Sequence, residues 1–210
     1  GGIVGSGDPS IINCRADVNV TVNAPASTSK SFTVAAGGLI GDISFNNEHD
    51  NTITNCTVRG TVTVNSQDLS GNDFHIGGVA GLAFANVMDC TSYAEINSTS
   101  ENEVRVGGLV GAVGAGSKIT NCSVYGTVHG KKNNFVGGAY GYAVGNHERV
   151  HFGGGIEDNI PDVGTGAVGI FIGHANGVFQ TKNCSYSNVD GSFPVIGKDE
   201  SKGTQDIKMK

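Results

Sequence analysis

Apolar and polar residues alternate with a period of two along most of the chain. In the segment 56–64, cysteine, valine and glycine alternate with threonine and arginine, and the segments 74–76 and 104–106 follow the same pattern. Successive side chains of a strand point to opposite faces, so this pattern predicts half-buried strands with apolar side chains inside. No sustained helical period is present, and glycine interrupts nearly every window. We therefore predict an all-β fold.

A glycine-rich pentapeptide recurs through the sequence. It reads GGIVG, GGLIG, GGVAG, GGLVG and GGAYG, with a weaker copy GIFIG, and the copies start at Gly1, Gly37, Gly77, Gly107, Gly137 and Gly169. A second element follows most copies and carries all the cysteines of the chain, which are Cys14, Cys56, Cys90, Cys122 and Cys184. Self-similarity of this kind is typical of a repeat architecture.

One repeat of about 30 residues cannot bury its own apolar face, whereas stacked repeats bury a continuous core. We therefore predict a β-solenoid, similar to a parallel β-helix, of about six rungs that are spaced ~4.8 Å apart. The glycine pairs would lie at corners, where φ is positive or where neighbouring rungs exclude a Cβ atom. A β-sandwich is the alternative, but it would not require a repeated sequence. The repeats predict one domain over residues 1–197, followed by a polar tail or cap over residues 198–210.

Composition narrows the classes of partner. The net charge is −6 and charged residues are only 15% of the chain, which leaves no basic surface for nucleic acid or anionic lipid. No apolar run approaches the ~18 residues that a membrane-spanning helix needs. The chain starts on GGIVG without a leader pattern, so we expect that an export signal has been removed. Because the chain begins inside a repeat, we also expect a piece of a longer surface protein, or a first rung that a partner covers.

The pentapeptide G-G-[LV]-[VI]-G, followed by [IT]-x-N-C-[ST]-V-x-G-x-V, resembles the GLUG repeat of bacterial surface proteins. That repeat occurs in large adhesins and in proteins similar to immunoglobulin A proteases. The resemblance covers residues 1–196 and provides no catalytic residue. It implies an extracellular or cell-surface location and a non-catalytic adhesive or scaffolding role, with surface or host glycans or proteins as partners and no cofactor. An accessory part of an immunoglobulin A protease-like protein is a further alternative.

The segment His147–His151 has the H-E-x-x-H spelling of zinc metalloproteases. Zinc binding by this motif needs a helix, which brings the two histidines to within about 6 Å of each other. On a strand the same residues are about 13 Å apart, too far for one zinc ion. Phe152 follows Gly138 by the same 14 residues that separate Cys122 from Gly108, so we expect Phe152 at a cysteine position. The motif would then lie on the approach to a strand, and we interpret it as a coincidence that provides neither a metal site nor a catalytic residue.

All the cysteines occupy the same position of the repeat, which the alternation predicts to face inward. We predict stacked free thiols that act as small apolar side chains, with disulfides between rungs as the alternative in an exported protein. The cysteines are preceded by Asn13, Asn55, Asp89, Asn121 and Asn183. We expect these residues to stack in a column at a turn and to satisfy backbone groups there. The N-C-[ST] triplets follow from that column and are not interpreted as glycosylation sites.

The connections are the remaining candidates for function, although no binding residue is assigned from the sequence. Those at 23–31, 65–73, 97–103 and 129–134 should stack along one edge, whereas 45–51 and the insertion 146–166 should fall in the other connection. The segment Asn47–Asp50 is the most polar cluster, for which carbohydrate binding, calcium binding and ordinary solvation are all open.

An enzyme that degrades polysaccharides is the rival to a binding or scaffold domain. It would need paired carboxylates, or carboxylates with lysine or arginine, on one face. The acidic residues are scattered over different loops without register. We therefore predict a binding or scaffold domain.

Overall fold

The computed structural model describes residues 1–24, 33–43, 51–66, 73–157, 163–187, 189 and 192–210. In this part of the chain every regular element is a strand, and every strand pair is parallel. The strands form sheets of 11, 10 and five strands, which we call sheets A, B and C. The predicted all-β solenoid is confirmed. No helix that could span a membrane occurs among the described residues.

Each complete rung runs from a strand in sheet C through sheet A to sheet B, and a connection then leads to the next rung. The strands of the first three rungs are β1 (Val4–Gly7), β2 (Ile11–Ile12), β3 (Arg15–Ala24), β4 (Thr33–Gly37), β5 (Ile40–Ile43), β6 (Thr52–Thr54), β7 (Thr57–Ser66), β8 (Asp73–Gly77), β9 (Ala80–Ala83), β10 (Asn86–Met88), β11 (Thr91–Ser92) and β12 (Glu95–Ser98). The fourth and fifth rungs contain β13 (Val104–Gly107), β14 (Val110–Val113), β15 (Lys118–Thr120), β16 (Ser123–Val124), β17 (Thr127–His129), β18 (Phe135–Gly137), β19 (Tyr140–Glu148), β20 (His151–Phe152) and β21 (Gly155–Ile156). The last strands are β22 (Ala167–Gly169), β23 (Ile172–Lys182), β24 (Cys184–Tyr186), β25 (Ile196–Lys202) and β26 (Ile207–Met209).

Equivalent positions of the repeat lie side by side. Gly77 pairs with Gly37 on one side and with Gly107 on the other. The Thr91 amide donates to the Cys56 carbonyl over 2.9 Å, as rung stacking requires. Side chains of the same repeat position therefore form columns along the solenoid axis.

The inward columns form one continuous core. Its largest fully buried side chains include Phe74, Ile76, Leu39, Tyr140, Phe152, Phe171 and Phe179. Burial of one such side chain contributes about 1.5–3 kcal/mol relative to exposure. Because each rung packs only on its neighbours, the stability of the solenoid comes mainly from contacts between adjacent rungs.

Close approach of the backbone explains the glycine corners between sheets C and A. A Cβ atom on Gly37 would lie 2.2 Å from the Ile40 carbonyl oxygen, and one on Gly41 would lie 2.6 Å from that of Ala35. Neither glycine has a positive φ. Of the two predicted reasons for glycine at these corners, steric exclusion is the one that applies. It lets the backbones of sheets C and A pass each other without side chains between them.

The described residues form six rungs and part of a seventh. β25 pairs with β23 in sheet A, and β26 pairs with β24 in sheet B. β25 crosses the predicted boundary at 197/198, and a separate role for residues 198–210 as a cap stays a prediction.

The strands that flank the connections after β3, β7, β12 and β17 belong to sheet B and then to sheet C, as the predicted order requires, and the stacking of these connections along one edge stays a prediction. The predicted place of the insertion 146–166 was wrong. Its first residues belong to β19, β20 and β21, and only the segment after β21 connects sheet B to β22 of sheet C. The predicted polar cluster Asn47–Asp50 lies outside the described residues.

Candidate binding groove

The H-E-x-x-H segment does not lie on a helix. Its first two residues end β19 in sheet A, and His151 begins β20 in sheet B. Arg149, between the two strands, has a φ of 55° and turns the chain from one sheet to the other. The histidines therefore belong to different sheets and do not share a helical face, which confirms the predicted strand context. In the described part of the chain, no group of three or more His, Cys, Asp and Glu residues is placed to hold a metal ion.

His147 is a core residue. It pairs with Ile119 of the previous rung, and its ring centroid lies 4.7 Å from that of Tyr140 and 5.0 Å from that of Phe179. The Nε2 atom lies 3.1 Å from the Val144 carbonyl oxygen, whereas Nδ1 is buried without a hydrogen-bond partner. Burial lowers the pKa of His147 to about 4, so the ring is neutral at neutral pH. His147 occupies a position that isoleucine fills one rung earlier.

The predicted register of this repeat was wrong by two residues. Phe152 pairs with Val124 and not with a cysteine. The His151 amide donates to the Cys122 carbonyl over 2.9 Å, which places Val150 beside Cys122 in the cysteine column.

The physical reason is a shorter path through sheet A. In the fourth rung residues 114–117 separate β14 from β15, whereas in the fifth rung β19 runs through both segments. The sequence separation between paired residues falls by two along this strand. Tyr140 pairs with Val110, whereas Asn146 pairs with Lys118. A register shift between Ala143 and Gly145 marks the same region of β19. Counting from the glycine corner therefore fails at this rung.

The cysteine column consists of free thiols. Cys56, Cys90, Cys122 and Cys184 are buried, and Cys14 at the first rung is partly exposed. The Cys90 sulfur lies 3.1 Å from the Met88 carbonyl oxygen. Burial raises the pKa of Cys56 to about 11, so this thiol is protonated and unreactive at neutral pH. The cysteines are small core side chains, as predicted.

The residues before the cysteine column form the corner between sheets A and B. A φ between 53° and 56° is shared by Asn13, Asn55, Asp89, Asn121, Arg149 and Asn183. Asparagine and aspartate tolerate this left-handed conformation better than most residues. Asn55 Nδ2 donates to Asn13 Oδ1 over 2.7 Å, and Asn121 Nδ2 donates to Asp89 Oδ1 over 3.1 Å. The predicted column at a turn is confirmed, with side chains of neighbouring rungs that bind one another, whereas the expected hydrogen bonds to backbone groups stay a prediction.

The outer face of sheet B carries two exposed tyrosines. The rings of Tyr93 and Tyr125 are stacked with centroids 5.3 Å apart. Arg59 covers the Tyr93 ring at 4.2 Å, and the His151 ring lies 6.0 Å from Tyr125 at a tilt of 58°. Arg59 and Tyr125 therefore cover the two faces of the Tyr93 ring, and Tyr93 and the tilted His151 ring cover the Tyr125 ring in part. A sugar that stacks on an aromatic ring needs a free face, so this ladder is better explained as a structural one.

An outer groove lies between sheets C and A. Arg105 of sheet C has its guanidinium carbon 5.0 Å from the ring centroid of Tyr142 in sheet A. Further along the axis, the rings of Phe135 and His174 lie 4.9 Å apart. We call this the axial groove, and its walls are the sheet C column His75, Arg105 and Phe135 and the sheet A column Leu82, Ala112, Tyr142 and His174.

The groove contains a cavity of about 210 Å³. Its polar lining comes from Thr33, Asp73, His75 and Arg105, and its apolar lining includes Leu82, Phe84, Ala112 and Tyr142. A cavity that combines an apolar wall with a few convergent polar groups is the usual form of a small-molecule site.

Two polar atoms of residues that line this cavity are buried without a hydrogen-bond partner. They are Nδ1 of His75 and Nε of Arg105. His75 is only 3% exposed, so bulk water does not solvate it. A buried polar atom without a partner costs about 1–3 kcal/mol, and such atoms are rare in native proteins. A ligand could satisfy these atoms if the side chains that cover them move aside.

The charged groups around the cavity carry one negative charge in excess. Arg105 Nη1 lies 3.4 Å from Asp73 and Nη2 lies 3.4 Å from Glu103. Burial, and then the charge of Arg105, lower the pKa of His75 to about 4, which leaves its ring neutral. The site therefore combines one guanidinium with two carboxylates and a neutral imidazole.

The expectation that acidic residues lack register was wrong at this place. Asp73 and Glu103 directly precede Phe74 and Val104, which pair across neighbouring rungs. Both carboxylates meet at Arg105 for that reason. The signal was present in the sequence, because Asp73 and Glu103 each stand two residues before an outward polar residue, but the opposite wall of the groove was not predicted.

A larger cavity of about 320 Å³ lies over the outer face of sheet A. It is lined by Lys118, Asn146, His147, Glu148, Gln180, Thr181, Lys182 and Thr204. Glu148 forms ion pairs here with Arg149 and with Lys182. Exposed pairs of this kind contribute little stability. His147 Nδ1 is also without a partner, but the His147 ring packs against the core rings of Tyr140 and Phe179. The axial groove is therefore the better candidate site.

Comparison with known proteins agrees with the repeat architecture. The family model of the GLUG motif matches residues 102–128, which cover most of the fourth rung. Halomucin from Haloquadratum walsbyi is 35% identical over 132 residues, which are 57% of this chain and 1% of the halomucin sequence. No solved structure matches significantly. The predicted resemblance to GLUG-repeat proteins is confirmed, and both matches point to a repeat protein of the cell surface or the extracellular space.

Proposed function

We propose that this chain is a non-catalytic binding domain of a surface protein and that the axial groove is its binding site. The observation that carries the proposal is a pair of buried, unpartnered atoms, His75 Nδ1 and Arg105 Nε, on two residues that line the cavity. A purely structural rung would place apolar side chains at these two positions. Adhesion to glycans or to proteins is the role that fits such a site on a repeat scaffold.

An enzyme that degrades polysaccharides is the second candidate. Asp73 and Glu103 beside Arg105 are the residue types that such an enzyme uses on one face. Both carboxylates are more than half exposed, with side-chain exposures of 62% and 54%. The general acid of a glycosidase is held in an apolar environment that keeps it protonated. This difference favours binding over hydrolysis.

A groove-filling variant tests the proposal. Ala112 lies in the same column as Leu82 and Tyr142, so Ala112→Tyr adds a ring that its neighbours already accommodate. The wild-type chain and the variant would be screened against glycans and extracellular matrix proteins. We expect the variant to lose binding by at least about tenfold, since the ring occupies the cavity.

Thr127→Tyr is the matched control, because it adds the same ring on sheet B of the same rung. It should bind as the wild type does. Equal binding by all three proteins, or no binding by any of them, would refute the groove as a binding site. Shorter products after incubation with a bound glycan would favour the enzyme instead.

A further inference from the structure

We infer that the cavity of the axial groove takes one neutral sugar ring of a glycan, with hydroxyl groups bound by His75, Arg105 and Asp73. This inference rests on the proposed function and names the chemical class of its ligand. Three properties of the cavity support it, which are its size, its hydrogen-bonding groups and its balance of charge.

The size fits a small ring. The cavity of about 210 Å³ is many times the 10–15 Å³ that a single water molecule needs. Phe84, Leu82 and the ring of Tyr142 give it one apolar wall. The C–H face of a sugar packs well on such a wall, whereas a cluster of water molecules gains nothing from it.

The polar groups match hydroxyl chemistry. Arg105 Nε can only donate, the Asp73 carboxylate can only accept, and the neutral imidazole of His75 has one ring nitrogen of each kind. A ligand for this set must both donate and accept within a few ångströms. Neighbouring hydroxyl groups of a sugar do so, because each hydroxyl has one donor and two acceptor positions.

The excess of negative charge favours a neutral ligand over an acidic one. Arg105 is already matched by Asp73 and Glu103, each at 3.4 Å. An acidic sugar would meet two carboxylates at the rim and a chain with a net charge of −6. Discrimination between neutral and acidic sugars is therefore a property of these three residues.

Titration of the full 210-residue chain with single sugars tests the inference. The probes are glucose, galactose, mannose and N-acetylglucosamine against glucuronic acid and N-acetylneuraminic acid, measured by calorimetry and saturation-transfer NMR. We expect saturable binding of at least one neutral sugar and binding at least about tenfold weaker for both acids.

Three variants locate the site. His75→Phe keeps an aromatic ring in the column that contains Phe135. It should weaken the binding of the neutral sugar by about tenfold or more. His129→Phe on sheet B is its control and should bind as the wild type does. Asp73→Asn changes an exposed rim residue without risk to the fold, and it should reduce the preference for neutral over acidic sugars.

The outcomes separate the two proposals. Sugar binding that His75→Phe leaves unchanged, or tighter binding of the acids, would overturn the inference. If no single sugar binds but a glycan or protein ligand remains sensitive to Ala112→Tyr, the inference fails and the proposed function stands. If the ligand is insensitive to Ala112→Tyr, both fail.

Discussion

The guanidinium carbon of Arg105 lies 5.0 Å from the ring centroid of Tyr142, although the two residues belong to different sheets of successive rungs. This cation–π contact joins the two walls of the axial groove. It also keeps Arg105 in place between Asp73 and Glu103, and so defines one end of the cavity.

Tyr142→Leu should loosen this wall. We expect the free energy of unfolding to fall by about 0.5–2 kcal/mol, because the cation–π contact and part of the packing are lost. Binding to the groove should weaken in parallel. Denaturant unfolding and ligand titration measure the two effects, with Tyr125→Leu on sheet B as the control that should leave binding intact.

Acid should destabilise the protein through His147. Its pKa is about 4 in the folded state, against about 6.5 in the unfolded chain, and within the described part of the chain its ring contacts the uncharged groups Tyr140, Phe179 and the Val144 carbonyl. Above pH 6.5 the ring is neutral in both states and has no effect on the pH dependence. Between pH 6.5 and 4 the unfolded chain binds the proton first, so stability falls by up to about 3 kcal/mol from this residue.

His147→Ile matches Ile119 of the previous rung and removes that contribution. The acid slope of the unfolding free energy should then be shallower than in the wild type. His75, whose pKa is also lowered to about 4, should account for part of the remaining slope. An unchanged slope in the His147 variant would contradict its assignment as a buried neutral ring.

Glu148→Gln should change neither the metal content nor any proteolytic activity of the protein, because we assign Glu148 no role in either. Glu148 pairs with Arg149 and Lys182 at the surface, so the expected change in stability is below about 1 kcal/mol. Metal analysis of the purified protein and a protease assay with and without chelator check this. Stoichiometric zinc, or proteolysis that a chelator abolishes, would show that the motif is functional.

The thiols should react in the order of their exposure. Cys14 is partly exposed and should be labelled in the native protein, whereas Cys56, Cys90 and Cys122 should resist thiol reagents until unfolding. Cys90→Ser buries a hydroxyl group and should cost about 1–3 kcal/mol, and Cys14→Ser should cost less. Rapid labelling of all the thiols in the native state would be incompatible with the column.

Two glycines at the same repeat position should respond differently to alanine. A Cβ atom on Gly111 would lie 2.4 Å from the Ile76 amide nitrogen, whereas one on Gly5 would have no atom within 4 Å. Gly111→Ala should therefore destabilise the protein by about 1–3 kcal/mol or more, and Gly5→Ala should stay within about 1 kcal/mol of the wild type. Thermal unfolding compares the two, and similar losses would show that close approach is not the reason for glycine there.

The sequence by itself determined the rungs and their corners. Alternation with a period of two places Val58 and Val62 inside and Thr57 and Thr61 outside whatever the rest of the chain does, because successive strand side chains point to opposite faces. The repeated glycines and the asparagine or aspartate before each cysteine determine the corners for a similar local reason, since few other residues fit a close backbone approach or a left-handed φ.

Only the tertiary structure decided the register of the fifth rung and the existence of the axial groove. The path through sheet A is two residues shorter at Tyr140–Glu148 than one rung earlier, and a register shift in the strand marks this region, so spacing in the sequence misplaced Phe152. The groove depends on how the outer faces of sheets C and A meet beyond the glycine corner. Arg105 and Tyr142 come together there because the glycine corner brings sheets C and A close and because Tyr142 lies one rung further along the axis. A local sequence pattern gives neither the closeness of the sheets nor the spacing of the rungs.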